Sequence, residues 1–134
     1  VNIFNNSSFS SVEKALDAAQ LRQTVIANNI ANATTPGFKK SSVKFEEHLQ
    51  QALSKKGISG NRTHAKHLPI GASRLADVNP RIVLHKDTKL NNNENNVDID
   101  TEMTELAKTQ LWYNALSQNI SGKFQKLKTV IGGK

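Results

Sequence analysis

Ala27-Asn28-Asn29-Ile30-Ala31-Asn32-Ala33-Thr34-Thr35-Pro36-Gly37-Phe38 is the place where a long helical pattern stops and the backbone has to turn. Pro36 pushes Thr35 out of the α region and cannot itself continue a helix, while Gly37 permits a positive φ. The asparagines of the last turns carry side chains that bond local backbone or a packed neighbour. Upstream, two lines of residues recur every seven: Phe9, Leu16, Gln23 and Ile30, and beside them Val12, Ala19, Ile26 and Ala33. That repeat describes a helix with one docking stripe, widened by Ala15, Ala18 and Val25. Ser10 followed by Glu13 reads as a capping box, so the helix is expected from there to about Ala33. Residues 1–11 are rich in Asn and Ser and read as a disordered leader.

Downstream, residues 38–53 are basic and then helical, with Phe45, Leu49 and Leu53 spaced at i, i+4 and i+8. Lys55-Lys56-Gly57 ends that short helix. Residues 61–96 are polar and irregular, carry Pro69 and Pro80, and close on a run that is all asparagine from Asn91 to Asn96 save Glu94. Within it Arg81-Ile82-Val83-Leu84-His85 has the composition of a strand and is expected to pair in a hairpin. A last helix follows, capped by Asp98 or Asp100 and stopped by Gly132-Gly133. It carries its own heptad lines: Ile99, Leu106, Tyr113, Ile120, Leu127, and Met103, Gln110, Ser117, Phe124, Ile131.

The pattern therefore predicts a mainly α fold. Long N- and C-terminal heptad helices pair as a coiled-coil-like hairpin, around a partly irregular middle holding a short helix and a β-hairpin. The expected divisions are residues 1–37, a basic and loosely ordered insert over 38–96, and residues 97–134. The pairing seam is expected from Leu16, Gln23 and Ile26 on one helix and Met103, Leu106, Gln110, Tyr113, Ile120 and Phe124 on the other. An antiparallel alignment sets Phe9 near Phe124 and lets the two polar breaks, Gln23 and Gln110, meet. Such a polar position fixes register rather than doing chemistry.

Composition narrows the function. The chain has 134 residues, 37% hydrophobic and only 5% aromatic, which suits narrow helical seams better than a large core. Without cysteine there is no disulfide framework, thiol nucleophile or zinc ribbon. No apolar run approaches the ~20 residues that span a bilayer, so no direct membrane span is expected, and the first residues do not read as a secretory signal. Lys14 and Arg22 balance Glu13 and Asp17, residues 91–134 are balanced as well, and the excess of +7 lies between. A basic middle admits nucleic acid, but the aromatics there, Phe38 and Phe45, are better used in packing. A small basic helical nucleic-acid-binding protein is the alternative reading. His64-x-x-His67 lacks further ligands, and Asp98-x-Asp100-x-Glu102 has Met103 where a calcium loop needs glycine, so neither metal nor cofactor is expected. Glu46-Glu47 and Glu102/Glu105 read as solvated helix faces rather than catalytic carboxylates, and the chain is not expected to be an enzyme.

The run from Ala27 to Phe38 resembles the signature A-N-N-[IL]-A-N-x-x-T-P-G-[FY] of the bacterial flagellar axial proteins of rod, hook and hook–filament junction, with every fixed position present. Asn95-Asn96-Val97-Asp98-Ile99-Asp100-Thr101-Glu102-Met103 is similar to the corresponding segment of the two short proximal-rod members. Residues 62–68, 110–116 and 128–134 look like one of those two. The resemblance implies a structural subunit of the flagellar basal-body rod, exported from the cytoplasm by the flagellar type III apparatus and required for motility. Its terminal helices would form an axial core domain, meeting copies of itself and other rod and basal-body proteins. It further implies that Asn28, Asn29, Ile30, Asn32, Thr35, Pro36, Gly37 and Phe38 form an assembly motif. Phe45 and Leu49 match an element that such subunits present to the flagellar export gate.

Overall fold

The protein is described by a computed structural model over residues 7–54, 78–86 and 94–133. Helix α1 spans Ser7–Ala31, strand β1 Ser41–Lys44, helix α2 Glu46–Ser54, strand β2 Arg81–Leu84 and helix α3 Ile99–Gly132. The sequence segments around residues 55–60 and the histidines at His64 and His67 lie outside the described residues.

Helices α1 and α3 run side by side and antiparallel. Gln23 Nε2 donates to Gln110 Oε1 at 3.0 Å, and the Phe9 and Phe124 rings meet edge to face with centroids 5.4 Å apart. These two contacts define the register: the polar breaks of both helices face each other and an aromatic pair closes the far end. That ring pair also explains why α1 begins at Ser7, ahead of the expected capping box at Ser10. Packing of Phe9 on Phe124, with Lys123 Nζ 5.5 Å over the Phe9 ring, stabilises an extra turn that the capping signal alone would not reach. Residues 7–11 are accordingly helix, not part of a disordered leader.

The buried stripe of α3 sits off the expected line. Glu102 and Thr109 face α1 and are buried, whereas Met103 is 53% exposed and Phe124 lies half in solvent. The heptad lines of α3 therefore straddle the contact rather than centre on it. With 34 residues against 25, α3 outreaches α1, and its last turns beyond Phe124 carry Val130 and Ile131 into solvent.

On the other side of α1, Ala18 packs with Phe45 and Val78 in a small core, joined by Ala15, Leu49 and Ala52. Small residues on α1 leave room for the bulk supplied by Phe45, directly ahead of α2, and Leu49, one turn further along on α2. The Leu53 side chain lies outside the described residues. Strand β2 pairs antiparallel with β1 in the register Ser41↔Leu84, Ser42↔Val83, Val43↔Ile82, Lys44↔Arg81. The expected strand at Arg81 thus finds a partner far back in the sequence instead of in a local hairpin. Ser-Ser-Val-Lys has little strand character of its own, and pairing with β2 together with α1 below gives it its conformation.

Candidate assembly site

The end of α1, the strand pair and the start of α3 converge on three asparagines, Asn29, Asn95 and Asn96, each no more than 1% exposed. A buried amide is stable only when both its donor and its acceptor are matched. Each of the three meets that condition by bonding backbone.

Asn29 comes from the last turns of α1. Its Oδ1 accepts from the Ser41 N–H at 3.0 Å, and its Nδ2 donates to the Ser41 carbonyl at 2.8 Å and to Glu102 Oε2 at 2.9 Å. The amide thereby stands where a third strand would pair with β1, and it also ties β1 to the first turn of α3. Glu102 is buried, with Lys40 Nζ 3.8 Å from its Oε1. Only one orientation of the Asn29 amide fits, since two acceptors face one end and a donor faces the other.

Asn95 holds the turn after α1. Its Nδ2 lies within hydrogen-bond distance of the carbonyls of Asn32 (3.0 Å), Ala33 (2.8 Å) and Thr35 (3.0 Å), and its Oδ1 accepts from the Val97 N–H at 2.6 Å. A helix end leaves carbonyls without intrahelical donors, and here Pro36 has no N–H to offer the Asn32 carbonyl. The Asn32 and Thr35 carbonyls accept the N–H groups of Thr35 at 3.0 Å and Phe38 at 3.3 Å, and Asn95 adds a donor at both and at the Ala33 carbonyl. Asn32 reinforces the same end, its Nδ2 donating to the Asn28 carbonyl at 2.9 Å and its Oδ1 accepting from Thr35 Oγ1 at 3.3 Å.

Asn96 is wedged into the strand pair. Beyond Ser41↔Leu84, the His85 N–H donates to the Lys40 carbonyl at 3.0 Å, as a ladder would continue. The reciprocal bond is replaced by the side chain of Asn96: its Oδ1 accepts from the Lys40 N–H at 2.6 Å and its Nδ2 donates to the His85 carbonyl at 2.8 Å. The ladder splits there and α3 starts from the split. Asp98 then caps α3 with extended backbone, accepting from the N–H groups of Asp100 and Thr101, and the Thr101 hydroxyl and N–H hold its carboxyl below the usual range.

The expected assembly motif divides into an inner and an outer part. Asn29 is buried, and Ile30, Asn32 and Phe38 are half-buried. Asn28, Thr35, Pro36 and Gly37 are exposed, with Gly37 at φ 71° and no atom within 4 Å of the position its Cβ would occupy. Gly37 is therefore required by the turn and not by a close neighbour. Of the seam residues, Ile26 is buried, while Leu16, Gln23, Leu106, Tyr113 and Ile120 are half-buried. Gln110 is exposed beyond its bond to Gln23. Phe45 is buried and Leu49 packs beside it. Asn95, Asn96 and Glu102 are the joint residues that apolar periodicity does not reveal. The signal for them is an Asn pair directly before a helix cap.

The chemistry around the joint is structural. Arg22 Nη2 lies 2.6 Å and 2.8 Å from the two carboxylate oxygens of Glu46 and 3.4 Å from the Val43 carbonyl. Partial burial pushes the Glu46 carboxyl up, and the Arg22 hydrogen bonds and charge outweigh it and leave it below its ordinary value. A cavity of about 460 Å³ beside the joint is lined by Arg22, Lys40, His85, Thr101, Glu102 and Glu105. Among the described residues no group of His, Cys, Asp or Glu is placed to hold a metal ion, and no described helix is long and apolar enough to cross a membrane.

Comparison with known proteins accounts for this arrangement. Residues 11–39, which hold most of α1 and the turn, match the family described as flagella basal body rod protein. The chain is 42% identical to flagellar basal body rod protein FlgB of Bacillus subtilis over 128 residues, covering 96% of this chain and 95% of that protein. It is 38% identical to FlgB of Borreliella burgdorferi over 121 residues, 87% of this chain and 89% of that one. FlgB of Escherichia coli is 27% identical over 124 residues. At such identity over nearly the whole length, the chain belongs to the family of flagellar basal body rod protein FlgB, structural proteins of the rod in the bacterial flagellar basal body.

Proposed function

We propose that this protein is a subunit of the proximal rod that crosses the flagellar type III export channel unfolded and completes its fold among neighbouring subunits. The observation that carries this reading is the apolar surface of α3 that α1 leaves uncovered. Leu111, Trp112, Val130 and Ile131 stand out in solvent, Val130 at 79% exposure: Leu111 opposite the buried Glu102 and Thr109, Trp112 on the flank, and Val130 and Ile131 on the turns beyond Phe124. Apolar side chains at such density on one helix are stabilised by burial against another chain, at ~25 cal/mol per Å². Copies of itself and other rod proteins are the partners proposed for that face. The exposed turn of Thr35, Pro36 and Gly37 is the outward part of the same assembly surface.

Phe45 and Leu49 support the export route. Both sit in the small core of the folded chain, so a gate that reads them meets the chain before it folds. The protein is read as non-enzymatic, as requiring no nucleic acid, and as necessary for motility.

The test uses Leu111→Asp with Val130→Asp. Both positions are exposed, so the purified variant should keep the far-ultraviolet circular dichroism of the parent. Cells carrying it should secrete the subunit, lack rods in isolated basal bodies and fail to swim. Normal rods and full motility would remove the α3 face from the assembly.

A further inference from the structure

We propose that the outer edge of β2, uncovered among the described residues, accepts an extended, acid-flanked segment of a partner protein as a third strand. The two edges of the small sheet are treated differently. On β1, three of the four groups of Ser41 and Val43 that point away from β2 are bonded by side chains of α1: Asn29 bonds both polar groups of Ser41, and Arg22 reaches the Val43 carbonyl. On β2 no such cover exists among the described residues. Because His85 and Lys40 share a ladder bond, the hydrogen-bonded pairs are Ser42 with Val83 and Lys44 with Arg81, and the N–H and C=O groups of Ile82 and Leu84 point outward.

The same two residues expose their side chains. Ile82 is 55% and Leu84 48% exposed, both projecting from one face of the strand past the cover of α1. An outward backbone and a pair of alternate apolar side chains are what an added strand needs: hydrogen bonds for affinity, pockets at every second residue for selectivity. A two-stranded sheet is also short of the three strands that give independent stability. Edge strands not meant for pairing are blunted by bulges, prolines or covering elements, and β2 has none of these inside its span.

Charge selects the partner. Exposed Arg81 and Lys86 flank the strand, and Arg81 stands directly across from Lys44, a like-charge pair that costs stability. Lys44 has Glu47 at 3.6 Å, and Arg81 faces no carboxylate among the described residues. A second copy of β2 would add cations to cations, whereas a strand with acidic ends supplies the missing counter-charges. The inference concerns a sheet edge and not the exposed apolar side chains of α3, and it holds whatever those side chains contact.

The probes are two short peptides of alternating valine and threonine, one ended by glutamates and one by lysines, titrated onto the full chain. The acidic peptide should bind about tenfold tighter than the basic one, as two exposed ion pairs allow. Binding should slow amide exchange at Ile82 and Leu84 and not at Val83. Ile82→Pro removes an N–H that serves only the outer edge, so it should keep the circular dichroism of the parent and lose the peptide. Should that variant misfold, Arg81→Glu with Lys86→Glu serves instead and should reverse the preference between the peptides. Equal binding of both peptides, binding untouched by Ile82→Pro, or self-association of the parent that this variant abolishes would each overturn the proposal.

Discussion

At the joint, three buried amides leave no donor or acceptor unmatched among the described residues, and nearly every bond runs to backbone. Along the helix pair, contacts are extensive but adjustable: an amide pair and a ring pair stand among rows of half-buried side chains. The contrast separates specificity from adhesion. Hydrogen bonds to backbone fix one geometry, because a displaced amide loses its partners outright. An apolar stripe tolerates sliding and new neighbours, which suits a surface that must meet other chains.

Replacing Asn29 by leucine is the strongest way to break that contrast. It strips the Ser41 N–H and carbonyl and the buried Glu102 carboxylate of their partner, and should cost ~3 kcal/mol or more in urea unfolding. Asn29→Asp should be at least as harmful, since it sets a second carboxylate against Glu102. On the solvent side of α3, away from the joint, Leu111→Asp should change stability by less than ~0.5 kcal/mol. Equal losses at the two sites would mean that the joint is not special.

Gly37→Val comes next. With φ at 71° and open space around the missing Cβ, its cost is conformational, ~1–3 kcal/mol, and Gly37→Asn should recover most of it. A similar loss for both variants would point to a contact rather than to backbone strain.

Gln23→Leu combined with Gln110→Leu sharpens the other side. The amide pair becomes apolar, and the monomer should be unchanged or more stable by up to ~1 kcal/mol in thermal melts. Crosslinks between cysteines engineered at positions 9 and 124 should then weaken as the helices gain freedom to shift.

The smallest effect lies in pH. Glu46 is held below its ordinary value in the folded chain, so its pairing with Arg22 contributes fully above the unfolded carboxylate range. That contribution is lost as pH falls through the lower, folded value. Because the Glu46 side chain is 66% exposed, screening limits it to on the order of 0.5 kcal/mol. Glu46→Gln should flatten the acid limb of a stability–pH curve by that amount, and no change would confine the pair to geometry.

Much of the fold is legible in the sequence. Heptad lines mark both long helices, Pro36 and Gly37 mark the break between them, and the facing glutamines mark how they align. Three things are not legible, each for a physical reason. The start of α1 depends on a ring contact with a residue at the far end of the chain. Strand β1 takes its conformation from β2 and from Asn29, not from its own residues. Asn95 and Asn96 sit in a stretch whose composition reads as loop, because apolar periodicity is blind to amides whose partners are backbone groups about sixty positions away.

The wedge of Asn96 in the sheet also makes the joint a test of completeness. Its bond to the Lys40 N–H spans 56 positions, that of Asn95 to the Ala33 carbonyl 62, and that of Asn29 to Glu102 73. Closures of this length carry a loop-entropy cost that is met only once all the pieces are present, and they form slowly. A chain cut before residue 95 still has the segments of α1 and both strands, yet it lacks the Asn95 donor at the carbonyls after α1 and leaves the sheet open at one end. The joint thus closes only in a chain whose distant halves have come together.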